Sequence, residues 1–402
     1  MNKFRIAITG ATGLLGRNLL FEFLKQYFND LDSLEIFVLG RDKSGISIEN
    51  RIKNIILNDG VNYIGCSDKN SVERLKKNCD SRIQYIDIDL DEEKLDLKSD
   101  DLKKLQSSPI DFFFHIAALT DFRSTSSVME ALKKTNVYGT KQTLQLVSAL
   151  KVNEFCYIGS AYSCGYTFGN IAPDYINFNQ KFRNPYEHTK LEAEVLVRDF
   201  AKKTGIKCRY FRPSTICGRL IEMPLGSINK FDVFYSWAAF FLRLKLKHFK
   251  TINYEGLLNI DARICYSQKS GLNIVPADYA AKTIYHVCMQ NEKSDSYHLV
   301  NNQETPHSVY IPIMLKKLNI AGIKQVDEIP KVMNPIESLY YRTIGGIFTP
   351  YINSEPMLFN TKNLNVVLSS AKLICPSVDE VTFPVLIDYA KKNNFNLSTR
   401  EI

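Results

Sequence analysis

The sequence predicts an α/β protein built on a doubly wound parallel sheet, with a smaller, mostly C-terminal region beside it. Two observations predict this fold class. Short apolar runs alternate with stretches of helical periodicity over the first 220 residues, and such alternation is typical of a parallel sheet covered by helices on both faces. After Gly218 the alternation ends, and Pro224 and Gly226 mark a loop, so a different architecture is expected there.

The first elements form one βαβ unit. Phe4–Thr9 is a short apolar run with β-branched residues, which predicts a buried strand, and a glycine-rich turn follows it at once. Apolar residues at helical spacing then predict a helix over Leu14–Phe28, and Glu35–Leu39 predicts the next strand. Strand, turn, helix and strand follow in the order that a βαβ unit requires.

Later segments continue this alternation. Further strands are predicted at Ile83–Ile88, Phe112–Ile116, Phe155–Gly159 and Cys208–Arg212. Helices are predicted at Ser99–Leu105, Val128–Leu150, Tyr186–Thr204 and Tyr279–Met289, with extra helices in the long connection 42–84. We therefore expect a Rossmann domain at residues 1–220, to which residues 271–300 return, and a substrate-binding or lid region at 221–270 and 301–402.

Composition excludes several classes of protein. The 402 residues are 45% hydrophobic and 23% charged, as in globular proteins. No apolar run reaches the roughly 18 residues of a membrane span, and no signal-peptide core opens the sequence, so a cytoplasmic protein is expected. Because the nine cysteines form no Cys-x-x-Cys pair and the six histidines lack ligand spacing, neither disulfides nor a metal site are expected.

The net charge restricts the partners less strongly. A formal charge of +8 is compatible with a membrane surface, with a phosphorylated cofactor or with a phosphorylated carrier. The lysines are dispersed and no basic-aromatic RNA signature is present, so no nucleic-acid partner is expected.

The glycine-rich turn predicts a nucleotide site. Gly10, Gly13 and Gly16 lie between the first strand and the first helix, where glycines let the backbone approach a pyrophosphate. An NAD site normally has an acidic residue at the end of the second strand, but here Arg41 stands at that point. Because arginine suits a 2′-phosphate, which Arg51 could also reach, NADP(H) is expected, although Asp42 leaves NAD open.

A second motif predicts chemistry on a carbonyl or alcohol. Tyr186 and Lys190 are four residues apart and so share one face of a predicted helix. The lysine ammonium would favour phenolate and lower the pKa of the tyrosine. Ser160 follows the strand Phe155–Gly159 at the carboxyl edge of the sheet, where its hydroxyl could hold a substrate oxygen.

Together with Arg212-Pro213-Ser-Thr-Ile-Cys-Gly218, these motifs support a family assignment. Over most of residues 4–300 the chain resembles the extended short-chain dehydrogenase/reductase superfamily. Four further segments resemble the thioester reductase and fatty acyl-CoA reductase branch, whose NAD-binding domain is of the male sterility type. They are His115-Ile-Ala-Ala118, Asn136-Val-Tyr-Gly-Thr140, Gly159-Ser-Ala-Tyr162 and Asn273-Ile-Val-Pro-Ala-Asp278.

The resemblance implies roles for individual residues. Arg41 and Arg51 match the paired arginines that this branch uses for the 2′-phosphate. Gly159 departs from the usual serine or threonine, but Ser160 keeps the hydroxyl. The remaining cofactor contacts implied are Thr12, Leu14 and Leu15 in the glycine turn, Asp89 and Leu90 at the adenine, His115 and Ala117 near the ribose, and Pro213, Thr215 and Ile216 near the nicotinamide.

The expected activity follows from both lines of reasoning. We expect an NADPH-dependent reductase that converts an acyl thioester, bound to CoA or to an acidic carrier protein, into the aldehyde; further reduction to the alcohol stays open. One alternative is a sugar-nucleotide epimerase or dehydratase, or another carbonyl or alcohol dehydrogenase of the superfamily, although Arg41 counts against the NAD-retaining epimerases. A non-catalytic NADP-binding regulator is the other, but it would have no need of the proton donor Tyr186.

Phe231–Phe249 is the most informative segment outside the nucleotide half. It is rich in aromatic residues and ends with Arg243, Lys245, Lys247 and His248. One interpretation is a core helix with a solvated basic end. A second is a lid whose aromatic face covers an acyl chain and whose basic end meets an anionic carrier. A third is peripheral contact with a membrane surface.

Overall fold

The computed structural model describes residues 3–290 and 294–397, so residues 1–2, 291–293 and 398–402 of the expected domain ranges lie outside the described part. The strands are β1 Phe4–Thr9, β2 Leu34–Gly40, β3 Ile83–Asp87, β4 Ile110–His115, β5 Val152–Ile158, β6 Gly169–Ile171, β7 Lys207–Pro213, β8 Thr215–Cys217, β9 Leu258–Cys265, β10 Gly271–Leu272, β11 Ile274–Pro276, β12 Ser296–Leu299, β13 Thr305–Pro306, β14 Ile320–Val326 and β15 Met357–Phe359.

The helices alternate with the strands along the first half of the chain and dominate the second half. They are α1 Leu14–Gln26, α2 Ile48–Ile55, α3 Val61–Ile64, α4 Lys69–Arg82, α5 Ser99–Gln106, α6 Ser126–Leu132, α7 Gly139–Ser148, α8 Pro185–Thr204, α9 Phe234–Phe249, α10 Ala277–Met289, α11 His307–Lys317, α12 Pro335–Arg342, α13 Ile344–Ile352, α14 Lys362–Ala371 and α15 Phe383–Lys392. Short π-helical segments occupy Ile56–Gly60 and Lys133–Tyr138, and 3₁₀ turns occupy Leu31–Ser33, Glu93–Asp96, Ala161–Cys164 and Asn394–Asn396.

Seven parallel strands form the central sheet, in the order β3-β2-β1-β4-β5-β7-β12. The α/β fold with a doubly wound parallel sheet is confirmed. At the centre, Thr9 of β1 pairs with Leu39 on one side and with His115 on the other. The strand order reverses between β1 and β4, and in such sheets ligands bind in the crevice beyond the carboxyl ends of the strands at this point.

Apolar side chains pack on both faces of the sheet. On one face, Leu19 and Phe23 of α1 pack in the same core as Ile284 of α10. On the other, Val147 of α7 and Val197 of α8 pack in a core that includes Phe113 of β4 and Phe155 and Tyr157 of β5. Helix α14 also joins the first of these cores, although it belongs to the predicted region 301–402.

A second large core is built from segments outside the sheet. Helix α9 lies in it, together with β9, β14, α11 and the helices α12, α13 and α15. Phe234, Tyr235 and Trp237 are buried, and the Trp237 indole N–H donates to the Tyr340 hydroxyl at 2.8 Å. The segment Phe231–Phe249 therefore contains a core helix, and its aromatic face is not a free lid.

The basic end of α9 is only partly solvated. Lys245 is fully buried, and its ammonium donates to the carbonyl oxygens of Leu318 at 2.8 Å and Tyr254 at 3.3 Å. Arg243, Lys247 and His248 are exposed. The expectation of a wholly solvated basic end is therefore wrong at Lys245, because this lysine caps backbone carbonyls inside the second core.

Neither a membrane span nor a metal cluster is present within residues 3–290 and 294–397. No helix in these ranges combines the length and apolar character needed to cross a membrane. Within the same ranges, no group of three or more histidine, cysteine or acidic side chains is arranged to hold a metal ion. The nine cysteines are free thiols.

Candidate active site

A deep cleft of about 520 Å³ opens at the carboxyl edge of the sheet. Its walls come from residues that follow directly on β1, β2, β3, β4, β5 and β7. The cleft is thus located where the strand order reverses, as expected for a ligand site in a doubly wound sheet.

The glycine turn between β1 and α1 has no room for side chains. Gly10 has φ +76°, and a Cβ there would lie 2.6 Å from the backbone nitrogen of Ala117. A Cβ on Gly16 would collide with the carbonyl oxygen of Gly10. The turn therefore brings bare backbone and the N-terminal end of α1 to the cleft, which is the arrangement that suits a pyrophosphate.

Three basic side chains line the far end of the cleft, beyond β2. They are Arg41, Lys43 and Arg51. A guanidinium nitrogen of Arg51 donates to the Arg41 carbonyl at 2.6 Å, and Arg41 lies 3.8 Å from an Asp89 carboxylate oxygen. The carboxylate of Asp42, by contrast, accepts a hydrogen bond from the backbone of Ile48 at 2.7 Å and does not line the cleft.

Ser160 is held at the end of β5 by its own backbone turn. Its Oγ accepts a hydrogen bond from the backbone N–H of Tyr162 at 3.2 Å, which starts the turn Ala161–Cys164. Ser160 is buried and lines the cleft. Because its oxygen accepts from the backbone, its own hydroxyl hydrogen can be donated to a ligand.

Helix α8 presents Tyr186 and Lys190. The Asn184 side chain caps the helix by accepting from the backbone N–H of Glu187 at 3.1 Å, and Pro185 occupies the first turn. The Lys190 ammonium donates to the Ile158 carbonyl at 2.6 Å and lies 4.7 Å from the centre of the Tyr157 ring. Burial lowers the pKa of Lys190 to about 7, against the opposing charge of Glu194.

Tyr186 has different neighbours from those the sequence suggested. Its ring meets the Phe122 ring edge-on, with centroids 5.3 Å apart. Burial raises the pKa of Tyr186 to about 12, and a hydrogen bond with Thr120 acts in the opposite direction. The expected lowering of this pKa by Lys190 is absent here, because the Lys190 ammonium is directed to the Ile158 carbonyl.

Nearly all the predicted site residues line this one cleft. They are Gly10, Thr12, Gly13, Leu14, Leu15, Gly16, Arg41, Arg51, Asp89, Leu90, Ala117, Ser160, Tyr186, Lys190, Pro213, Thr215 and Ile216.

His115 is the exception. It is buried behind the cleft wall, and its two ring nitrogens lie 3.0 Å from the Thr9 hydroxyl and 3.1 Å from the Thr140 hydroxyl. Burial lowers the pKa of His115 to about 3, so its ring is neutral. His115 does not line the cleft; its ring connects β4 to Thr9 of β1 and to Thr140 of α7.

Other residues of the cleft were not expected. Phe348 and Tyr351 reach it from α13, and Asp232 and Val233 reach it from the segment before α9. The Tyr351 hydroxyl donates to Glu187 at 2.7 Å, which ties α13 to the first turn of α8. No short motif accompanies these residues, since they come from distant parts of the chain. Tyr162, also in the cleft, was visible only as part of the segment around Ser160.

Comparisons with known proteins agree with this fold. A model of the male sterility protein family matches residues 8–284. One subunit of the linear gramicidin synthase of Brevibacillus parabrevis is 23% identical over 96% of this chain, and the chain spans 7% of that relative's length.

Solved structures show the same fold. The terminal R domain of the myxalamid PKS-NRPS pathway superposes with a TM-score of 0.73 at 19% identity, covering 98% of this chain and 92% of the other. A thiolation-reductase di-domain from an archaeal non-ribosomal peptide synthetase gives a TM-score of 0.65 at 20% identity, covering 98% and 76% respectively. The chain belongs to the male sterility protein family, as its motifs predicted.

Proposed function

We propose that this protein uses NADPH to reduce an acyl thioester, carried by a carrier protein, to an aldehyde. The main support is the shared cleft, in which the glycine turn for a pyrophosphate and the hydroxyls of Ser160 and Tyr186 lie on the same walls. A regulator that only bound the nucleotide would need the first of these features and not the second.

The preference for NADPH rests on the basic end of the cleft. Arg41, Lys43 and Arg51 would surround a 2′-phosphate, and charge-assisted bonds to phosphate are among the stronger hydrogen bonds in proteins. Asp42 is occupied in holding the start of α2, so it does not offer its carboxylate to ribose hydroxyls. The glycine cradle would hold the pyrophosphate, because a Cβ at Gly10 or Gly16 would collide with backbone atoms and the tight turn could not form.

The chemistry of the remaining groups fits reduction of a carbonyl. The bound cofactor would supply a hydride to the carbonyl carbon. Ser160 donates a hydrogen bond to the carbonyl oxygen, and the Tyr186 hydroxyl transfers its proton to that oxygen as negative charge develops there. The resulting hemithioacetal loses its thiol by breakage of the C–S bond, and the hydroxyl proton passes to the departing sulfur, which leaves the aldehyde.

Lys190 contributes to the same site through its ammonium group. Its ammonium donates to the carbonyl of Ile158, two residues before Ser160, and it would bind a ribose hydroxyl as well. Burial lowers its pKa to about 7, so near neutral pH both the charged and the neutral form are populated. A ribose hydroxyl and the cofactor's phosphates would favour the charged form of Lys190. We propose that this charge lowers the pKa of Tyr186 only when the cofactor is bound, since no such lowering is present without it.

The relatives support a carrier-bound substrate over free CoA. One solved neighbour is a reductase joined to a thiolation domain, and the curated relative is part of a linear gramicidin synthase. We infer that this chain likewise receives its acyl group on an activated carrier. The region formed by residues 221–270 and 301–402 contributes Asp232, Val233, Phe348 and Tyr351 to the cleft, and we propose that it selects the acyl group.

The decisive experiment measures product and cofactor together. The purified protein is incubated with NADPH and, in separate reactions, with octanoyl carrier protein, octanoyl-CoA and UDP-glucose. We expect NADPH oxidation and trapped octanal with the thioesters, most efficiently with the carrier, and no reaction with the sugar nucleotide. Turnover of the sugar nucleotide without aldehyde from any thioester would overturn the proposal in favour of the epimerase or dehydratase class.

A further inference from the structure

A second large cavity, the basic groove, lies between α9 and the helices α12 and α13. Its volume is about 1080 Å³, twice that of the candidate active site. Apolar side chains are among those that line it, including Phe240, Leu244 and Ile347. An apolar cavity of this size on a protein surface marks a site of interaction.

The charged side chains that line the groove are all basic. They come from four separate segments: Arg123, Arg183, Arg243, Lys247, Lys250 and Arg342. Two of them are paired with acidic neighbours outside the lining, Arg123 with Asp121 and the buried side chain of Arg183 with Glu187. Among the described residues that line the groove, none is acidic. Within the described part of the chain, Lys247, Lys250 and Arg342 form no ion pair, and Arg342 bonds only to the Ser338 carbonyl at 3.2 Å.

The groove also meets the candidate active site. Phe122 lines both cavities, and its ring lies edge-on to Tyr186. Helix α13 separates the two, because it gives Ile344 and Ile347 to the groove and Phe348 and Tyr351 to the active-site cleft. A flexible arm that ran along the groove would therefore arrive beside Tyr186.

We propose that the basic groove is the docking surface for an acidic carrier protein, whose phosphopantetheine arm passes Phe122 to reach Tyr186. This inference rests on the proposed function. The number and spread of the cations support a protein surface: a single phosphate needs two or three donors, whereas here exposed cations follow α9 and reappear at Arg342. Such complementary charge mainly raises the rate and specificity of docking.

Three substrates with the same acyl group separate the features that the groove could recognise. Octanoyl carrier protein has an acidic surface and a phosphate, octanoyl-CoA has phosphates alone, and octanoyl-N-acetylcysteamine has neither. The variant is Lys247→Glu with Lys250→Glu. The control is Lys202→Glu with Lys203→Glu, which makes the same charge change at exposed positions at the end of α8, outside the groove.

We expect the groove variant to raise KM for the carrier substrate at least tenfold. It should raise KM for octanoyl-CoA much less, and it should leave KM for octanoyl-N-acetylcysteamine and the Kd of NADPH unchanged. The control variant should match the parent with all three. Raising the salt concentration should weaken the parent's use of the carrier substrate in the same manner, because salt screens exposed charges.

Other outcomes overturn the inference. Equal losses with carrier and CoA would mean that the groove recognises only phosphate, and unchanged KM for the carrier would mean that it has no role. If KM rises as much for octanoyl-N-acetylcysteamine as for the carrier substrate, the effect of the groove variant does not depend on the charge of the substrate.

Direct binding separates this inference from the proposed function. The Kd for an octanoyl carrier protein is measured without NADPH, by fluorescence anisotropy of the labelled carrier. Carrier binding that the groove variant abolishes, in a protein that reduces no thioester, would support the docking surface and reject the proposed function. If the protein reduces thioesters but the parent and the groove variant bind the carrier with equal affinity, the proposed function is supported and the docking surface is rejected.

Discussion

Individual residues of the nucleotide site were predictable because their constraints are local. Gly10 and Gly16 had to be glycine for a turn in which any Cβ meets backbone, and that requirement appears in the sequence as a spacing. The pKa of a titrating group, by contrast, depends on neighbours that are distant in the sequence. Lys190 and Tyr186 have the expected spacing, but their pKa values depend on burial and on neighbours such as Ile158, Thr120 and Phe122, which no short motif reveals.

The basic end of the cleft predicts a strong preference between cofactors. Replacing Arg41 and Arg51 together by alanine should raise the Kd of NADPH by at least about a hundredfold, because two charge-assisted bonds of about 1.5–3 kcal/mol each are lost. The Kd of NADH should stay within about threefold. Fluorescence titration with each cofactor measures both values. Arg123→Ala with Arg342→Ala removes the same charge outside the cleft and serves as the control; equal affinity of the parent for both cofactors would reject the assignment.

Tyr186 is expected to be the proton donor. The variant Tyr186→Phe should lose at least about a hundredfold in kcat, since general acid catalysis typically contributes about 10²–10⁴-fold. It should bind NADPH as the parent does, because the ring and its contact with Phe122 remain. Steady-state kinetics and a cofactor titration test both statements. A variant with parental kcat would show that another group gives the proton.

Lys190 predicts a specific dependence of stability on pH. Its folded-state pKa of about 7 lies below the unfolded value of about 10.4, so between these values the unfolded chain binds more protons and the free energy of unfolding rises with pH. In Lys190→Met this contribution disappears. The difference in unfolding free energy, parent minus variant, should therefore increase from about pH 7 to about pH 10. Urea unfolding at several pH values measures it, and parallel profiles would contradict the buried ammonium.

Elements of secondary structure followed the sequence wherever their hydrophobic period was regular. The strand Phe4–Thr9 has the predicted bounds, whereas the predicted helix Val128–Leu150 is α6 and α7 joined by the π-helical segment Lys133–Tyr138. In that segment Asn136 bonds the Leu119 backbone through both its side-chain oxygen and its nitrogen. Such a distortion serves a contact with another part of the chain, so the helix's own sequence does not show it.

Helix α9 gives a prediction at the same scale, because its two nearby lysines differ in environment. Lys245→Glu should lower the free energy of unfolding by at least about 3 kcal/mol, since a buried carboxylate would face the carbonyl oxygens that Lys245 now bonds. Lys247→Glu, on the exposed face, should change it by less than about 0.5 kcal/mol. Urea denaturation compares the two variants, and equal small effects would mean that Lys245 is solvated.

At the scale of the whole molecule, the arrangement of the two main cores was the least predictable feature. The sheet could be read from alternating strands and helices, but the second core draws on residues from Cys217 to Leu397 that have no common pattern. The contacts between the second core and the sheet with its helices are specific and buried. Tyr351 of α13 bonds Glu187 of α8, and Arg183 donates to the Pro350 carbonyl at 3.2 Å. These bonds place the side walls of the cleft relative to the sheet.

The cross-core bonds predict that the molecule unfolds as one unit. The chain has a single tryptophan, Trp237, which is buried in the second core, whereas NADPH is expected to bind at the sheet. A ligand at about 100 times its Kd stabilises the folded state by about 2.7 kcal/mol. If the cores unfold together, NADPH should raise the midpoint seen by Trp237 fluorescence by as much as the midpoint seen by circular dichroism, which reports the whole chain.

Tyr351→Phe, which removes the bond to Glu187, should reduce the NADPH-induced shift of the Trp237 midpoint more than the shift of the circular dichroism midpoint. If NADPH does not shift the unfolding midpoint reported by Trp237 in the parent protein, the second core unfolds independently. The bonds across the cleft then do not couple that core to the sheet.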